Sequence, residues 1–594
     1  MRQEIIDRIN TLKEVIKNNQ IDYYLIPTGD FHNSEYVGDY FKVREYYSGF
    51  TGSNGSLLVA QDEVGLWTDG RYFVQAEKEL EGTGIILFKM GNKDVPTISQ
   101  YLQKKCEEKN IVLGFDGRVV SKSYMDGMIK QCHGKLTVRF MEDLAGDLWG
   151  NRPPMSAEKI WIHTLDYCGI SLQEKVSMLR KELEKKKADA FFTSKLDAIM
   201  WLFNVRGADV ACNPVALSYA FIGKKNAYIF VSEKAVDEDV RRYFEENGVT
   251  VKAYHEVFSF LKNEEKMSIG LDKQEVSYAL WETVSNAHTI IEMTNPIEEW
   301  KAIKNQTETS CMKEYFIKDS VAVCKFLFDV KTKGVADELE AAAVIDGYRR
   351  EIDGFLDLSF PTISAYKENA AMMHYEATKE AFAKIKKEGM LLVDSGGQYK
   401  GATTDVTRTI VMGELPEEEK KYFTLVAAGM LRLQNAVFMK GCTGRNLDIL
   451  ARQPLWEEYV DYKCGTGHGV GCCLNVHEGP HGIRWMYRAD TIETVLKEGM
   501  AVTDEPGVYF ADKFGIRTEN VLLVKKIREN TDGEFLGFEP LTFVPIDLAG
   551  IDLEHMEQKD IKYLNAYHAQ VYEVISPYLD DEQNAWLKEA TKPL

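Results

Sequence analysis

Five residues in the C-terminal half carry side chains suited to holding metal ions: Asp394, Asp405, His468, Glu505 and Glu519. Four carboxylates and one imidazole form an oxygen-rich donor set. Such a set favours hard or borderline ions such as Mn2+, Co2+ or Fe2+ over a structural zinc held by thiolates. Four carboxylates also supply enough charge to hold two dications close together with a hydroxide between them, which is the chemistry of a hydrolytic centre.

The spacing indicates how these side chains are positioned. Asp394 ends the apolar run Met390-Leu391-Leu392-Val393, and Asp405 follows a break at Lys400-Gly401-Ala402 and leads into Val406-Thr407-Arg408-Thr409-Ile410-Val411. Paired antiparallel, with the aspartates roughly opposite, the two runs set both carboxylates on one face. Glu505 ends Met500-Ala501-Val502-Thr503-Asp504 and Glu519 precedes Val521-Leu522-Leu523-Val524, with Ala511-Asp512-Lys513 as the turn, so a second hairpin repeats the device. His468 lies in Gly465-Thr466-Gly467-His468-Gly469-Val470-Gly471, where alternation puts Thr466, His468 and Val470 on one face. The glycines on the other face permit close backbone approach. Pro506 biases Glu505 toward an extended conformation. Arg517, two residues before Glu519, shares its face and can orient a ligand carboxylate or neutralise part of the charge. Taken singly, each residue has an ordinary reading as a turn aspartate, a solvated glutamate or a hydrogen-bonded histidine. The recurrence of one design in two hairpins argues for a site.

These elements sit in a chain of 594 residues, too long for one core, and about 150 residues per domain suggests three or four units. A net charge of −20, from 72 basic and 92 acidic residues, argues against a phosphate backbone or an anionic membrane surface as partner, so neither nucleic acid nor membrane is expected. Charges interrupt the apolar N-terminus and no later stretch reaches the length of a membrane span, so a cytoplasmic protein is expected. Ten cysteines without a C-x-x-C pair fit reduced thiols rather than disulfides or thiolate-held zinc.

The fold expected is α/β followed by α+β. Residues 1–150 open with an amphipathic helix (Ile5, Ile6, Ile9, Leu12, Val15, Ile16) and the strand Tyr23-Tyr24-Leu25-Ile26-Pro27. Residues 151–298 begin again in the same way, with a charged helix over 171–187 and the strand-like run Ala188-Asp189-Ala190-Phe191-Phe192-Thr193, as a duplication would. Residues 299–594 combine strand hairpins with a long helix carrying Ile303, Met312 and Tyr315, and with helices over 337–346 and 417–440. A C-terminal extension starts at about 538 with turn-forming Pro540 and Pro545, then a helix over 559–579.

The segments Asp394-Ser395-Gly396, Thr403-Thr404-Asp405-Val406-Thr407-Arg408-Thr409, Gly465 to Gly471, Val476-His477-Glu478-Gly479-Pro480, Asp504-Glu505-Pro506-Gly507 and Gly515-Ile516-Arg517-Thr518-Glu519-Asn520 resemble those of the Xaa-Pro aminopeptidases, in the pita-bread metallopeptidase family. Tyr47 to Ser53, Leu66 to Phe73 and Trp201 to Gly207 are similar to the two creatinase-type N-terminal domains of the long members. The resemblance implies two divalent ions, usually Mn2+, with Co2+ or Zn2+ as alternatives. Asp405 and Glu519 bridge them, Asp394 completes one, and His468 with Glu505 completes the other. It implies Glu505 as general base, His374 as a substrate hydrogen-bonding or proton-passing group, and His477 as the group that polarises the carbonyl or stabilises the oxyanion. It places Arg71 at the substrate and makes the substrate a peptide with proline second, cleaved by a homodimer. Where many relatives have a second histidine four residues before the metal histidine, this chain has Cys464. The rival readings are a prolidase acting on Xaa-Pro dipeptides and a pita-bread module that binds without catalysis.

Overall fold

The computed structural model describes residues 2–141, 143–486 and 493–594. It divides into two compact units, one built mainly from residues before Glu298 and the other mainly from Glu298–Leu594.

The first unit contains two six-stranded sheets. In the first, β1 (Tyr23–Pro27), β2 (Ser56–Ala60), β3 (Val64–Thr68), β4 (Ile86–Lys89), β5 (Ile111–Asp116) and β6 (Leu136–Met141) lie in the order β4-β3-β2-β1-β5-β6. Strand alternation decides which face each apolar side chain covers. Tyr24, Ile26, Leu57 and Val59 pack on Ile5, Ile9, Leu12 and Ile16 of the opening helix, while Tyr23, Leu25, Leu58 and Phe115 pack on Leu102 and Met125 behind the sheet. The second sheet, β7 (Ala190–Thr193), β8 (Ser218–Gly223), β9 (Ala227–Val231), β10 (Val249–Ala253), β11 (Ser268–Leu271) and β12 (Thr289–Glu292), runs β10-β9-β8-β7-β11-β12. Its sequence of antiparallel and parallel pairings is the same, so the two sheets share one topology.

In the second unit, β13 (Ile363–Tyr366), β14 (Met390–Ser395) and β15 (Val406–Val411) form an antiparallel sheet. A six-stranded sheet joins β16 (Val437–Met439), β17 (Gly467–Gly469), β18 (Glu478–Ile483), β19 (Ala501–Asp504), β20 (Asn520–Asn530) and β21 (Gly533–Pro540) in the order β16-β21-β20-β19-β17-β18. The helix Glu417–Gln434 buries Phe423, Val426, Met430 and Leu433 at helical spacing beneath these strands.

Five boundaries differ from the sequence expectation, one being the last long helix, which ends at Ile575 rather than at 579. The long helix does not include Ile303, because Asn305 accepts from the Thr307 and Glu308 amides and starts a new helix at Gln306–Thr332, while Ile303 bridges Met500. The helix expected over 337–346 runs Glu338–Arg350 behind the N-cap Asp337. The helix from Glu417 stops at Gln434 because Val437–Met439 pairs with β21 as an edge strand. Residues 538–540 belong to β21, so the extension leaves the sheet only after Pro540, where proline ends the strand at little cost. The last long helix is Gln558–Ile575, burying Leu564, Tyr567 and Val571. Among the described residues, no helix is long and apolar enough to cross a membrane.

Candidate metal centre

Asp394 lies at the end of β14, where the register pairs it with Thr407. Asp405 immediately precedes β15, two residues from Thr407, so it sits diagonally from Asp394 on the same face rather than directly across. In the other half Asp504 pairs with Asn520, so Glu505 and Glu519 face each other at the next position. They stand at the mouth of the hairpin formed by Gly507–Phe510 and Phe514–Arg517. Hydrogen bonds sew the two halves together: the Glu519 amide donates to Thr407 O at 3.1 Å, and Thr407 Oγ1 donates to Glu519 Oε2 at 2.6 Å.

His468 is central in β17, between β18 and β19. Gly467 lies against the Thr503 carbonyl and Gly469 against that of Glu478, so a Cβ at either position would push the strands apart. Nδ1 lies 3.0 Å from Gly469 O, and Nε2 faces the acids, 3.3 Å from Glu505 Oε1 and 3.5 Å from Asp405 Oδ2. Ligand atoms of Asp405, His468 and Glu519 all lie within 4.8 Å of one another. Asp394 Oδ1 and Glu519 Oε1 are buried without a hydrogen-bond partner among the described residues. Such oxygens are costly to leave unpaired, and a cation is the partner their chemistry suits. The residues present therefore fit a metal centre.

The electrostatics of the metal-free cluster agree. Burial, then repulsion from Asp394 and Glu505, raises the Asp405 carboxyl well above the usual range. Burial, then Asp405 and Glu505, does the same to Glu519. Asp394 is also raised, chiefly by burial, against the pull of Arg517. Burial works to raise Glu505 too, but the His468 hydrogen bond and the charges of His468, Arg517 and His477 outweigh it and hold its carboxyl low.

Arg517 Nη2 lies 2.5 Å from Asp394 Oδ2, and its Nη1 donates to Tyr509 Oη at 2.6 Å. The His477 ring stands edge-on to His468, with centroids 4.3 Å apart. His374 occupies the turn after Lys367–Ala371, and the carbonyl of its neighbour Met373 is 3.5 Å from Arg517 Nη2. Gly515 lies so close to the Ala370 carbonyl that only glycine fits, which presses this segment onto the 507–517 hairpin. Arg71 belongs to the first unit, where Nε and Nη2 donate to Asp69 at 2.9 and 2.8 Å. The Cys464 thiol is pushed up to about 12, mainly by burial and then by Glu505.

Thr407, Tyr509 and Asp504 were not singled out from sequence. Thr407 had a signal, since it is two residues past Asp405 and shares its face. Tyr509 had none, because its partner lies across a hairpin. Asp504 is fully buried, and neither carboxylate oxygen has a hydrogen-bond partner among the described residues.

The chain matches creatinase/prolidase N-terminal domains over residues 8–145 and 151–308, metallopeptidase family M24 over 310–526, and the C-terminal region of that peptidase family over 534–594. It is 38% identical to a probable Xaa-Pro aminopeptidase P of Paracoccidioides brasiliensis, covering 99% of both chains. It is also 38% identical to one of Neurospora crassa, covering 99% of this chain and 89% of the relative. Among solved structures, the X-prolyl aminopeptidase of Caenorhabditis elegans, described as a cytosolic enzyme with a dinuclear active site, superposes with a TM-score of 0.94 at 32% identity, over 99% of this chain and 100% of that one. The Xaa-Pro dipeptidase of Bacillus anthracis, with a TM-score of 0.50 and 25% identity, covers 64% of this chain and 99% of its own. Fold and site thus define a metallopeptidase with two creatinase-type N-terminal domains ahead of a pita-bread domain. Within that class, the chain belongs to the Xaa-Pro aminopeptidase P family.

Proposed function

We propose that the chain is a metalloaminopeptidase that releases the first residue of peptides with proline second, using two divalent cations held by Asp394, Asp405, His468, Glu505 and Glu519. In this reading Asp405 and Glu519 would be ligands shared by both ions, with Asp394 held to one and His468 and Glu505 to the other. The observation that carries it is the convergence of Asp405, His468 and Glu519, with Glu505 beside His468 and with buried oxygens of Asp394 and Glu519 left unpaired among the described residues. Mn2+ is the proposed metal, with Co2+ or Zn2+ as alternatives, and the protein is proposed to be a cytoplasmic homodimer. Its domains are proposed as 1–150, 151–298 and 299–594, the last including the extension; the family match that starts at 151 supports the first bound, and the compact unit that starts mainly at Glu298 lies next to the second.

When bound, the cations supply polarisation of water and of the scissile carbonyl. Glu505, held ionised beside His468, accepts the proton of the attacking water. His477, edge-on to His468, donates to the oxyanion that forms. His374 hydrogen-bonds the substrate, and Arg517 offsets the charge on Asp394. Arg71 is assigned to the substrate on family resemblance. The Xaa-Pro bond has no N–H, so its nitrogen offers no hydrogen bond and the ring is accepted by shape. The test is hydrolysis of Ala-Pro-Ala against Ala-Pro with added Mn2+. Preferred cleavage of the tripeptide is expected. Exclusive cleavage of the dipeptide would make the chain a prolidase, and no cleavage of either would favour a binding module.

A further inference from the structure

By strand alternation, Arg408 points away from the metal face, and its side chain is almost wholly buried. Its guanidinium nonetheless touches the backbone of both proposed bridging segments. Nη1 donates to Thr407 O at 2.8 Å and to Glu519 O at 2.5 Å. The rest of the fork reaches Asn520 beside Glu519, and the chain beyond β21. Nη2 donates to Asn520 Oδ1 at 2.7 Å, Val544 O at 2.7 Å and Tyr567 Oη at 3.0 Å, and Nε donates to Pro545 O at 3.1 Å. Tyr567 Oη is fixed in turn by Val544 O at 2.8 Å.

Apolar packing joins the same segments, since Ile410 shares a buried cluster with Val544 and Val411 shares one with Ile546. To that packing the guanidinium adds directed ties, and its planar fork sets the spacing of its acceptors more rigidly than a lysine ammonium can. A cavity of about 240 Å³, lined by Arg408, Ile410, Pro545, Ile546 and Trp586, lies beside them.

We infer that Arg408 is a positioning residue for the two bridging carboxylates, and that the C-terminal extension, by gripping Arg408 through Val544, Pro545 and Tyr567, sets the affinity of the centre for its cations. The inference rests on the bridging roles proposed for Asp405 and Glu519. Partners that orient metal ligands typically influence metal affinity by about 10–100-fold.

The test uses the full chain stripped of metal and titrated with Mn2+ against a chelating dye. Arg408→Lys keeps the charge and loses the fork, so its Mn2+ Kd is expected to rise by about 10–100-fold, with kcat recovered at saturating Mn2+. Tyr567→Phe keeps the ring and is expected to shift Kd the same way by less. Val571→Ala, on the same helix with its side chain in the apolar core, is expected to lower Tm and leave Kd unchanged. An unchanged Kd in folded Arg408→Lys overturns the inference, as does an equal loss of affinity in Val571→Ala. Should Arg408→Lys not fold, an unchanged Kd in Tyr567→Phe overturns it. Asp405→Asn separates the two readings. If that variant binds Mn2+ as the parent does, the bridging assignment fails. If it loses Mn2+ while Arg408→Lys does not, only the present inference fails.

Discussion

Arg517 and Asp394 form a buried ion pair, with Nη2 2.5 Å from Oδ2, and their side chains are 4% and 11% exposed. The guanidinium is thus the counter-charge of Asp394 in the metal-free protein. Removing one partner of a buried pair costs about 3–5 kcal/mol. Arg517→Gln is expected to lose about that much in the metal-free protein and less with saturating Mn2+, since cations replace the missing charge. Urea unfolding of both forms checks this, and an equal loss in both would refute it.

Glu519 meets Thr407 through one oxygen and has the other unpaired among the described residues. Glu519→Ala and Asp405→Ala are each expected to abolish activity and to lower the metal content of purified protein, because each removes a shared ligand. Elemental analysis showing full metal occupancy would sink the bridging roles.

The raised carboxyls of Asp405 and Glu519 give the metal-free protein a distinctive pH response. Above about pH 4 the unfolded chain releases these protons while the folded chain keeps them, so the native state binds more protons and its stability falls as pH rises. The depressed Glu505 acts in the opposite sense only below about pH 4, where its unfolded-state carboxyl titrates. Urea midpoints of the stripped protein should decline across the neutral range and flatten with Mn2+. A rising midpoint in the stripped protein would contradict the assignment.

His477 contacts the His468 ring without belonging to the proposed ligand set. His477→Ala should retain its metal while kcat falls by about 10²-fold, the usual cost of losing an oxyanion donor. Steady-state kinetics beside metal analysis decides, and an undiminished kcat would leave the residue a packing role.

Cys464 lies four residues before His468, and its thiol is pushed up to about 12. Reaction with iodoacetamide needs thiolate, so the native enzyme should keep its rate after treatment near neutral pH, and Cys464→Ser should preserve the pH profile. Rapid inactivation protected by a competing peptide would show that the thiol is more acidic and more open than its burial allows.

Part of the candidate site was legible because strand alternation acts over two residues, so Asp405 and Thr407, or Arg517 and Glu519, can be placed on one face without knowing the fold. The offset between Asp394 and Asp405 was not, since it depends on which residues pair across the sheet. Thr407 and Glu519 are 112 positions apart, and Arg408 and Tyr567 are 159 apart, distances over which no local pattern speaks. The helix break before Gln306 was legible in principle: Asn305 and Glu308 have capping-box spacing, yet the apolar residues on either side read as one stripe. Arg71 shows the converse, because its visible partner Asp69 is only two residues away and is a local pairing.

The pairing of Asp394 with Thr407 would let the proposed centre proofread folding. A slip of one residue between β14 and β15 would turn one strand's aspartate to the opposite face and leave the ions without a shared cage. Cations that bound only the correctly threaded chain would, if present during refolding, favour the proper threading before any peptide is met.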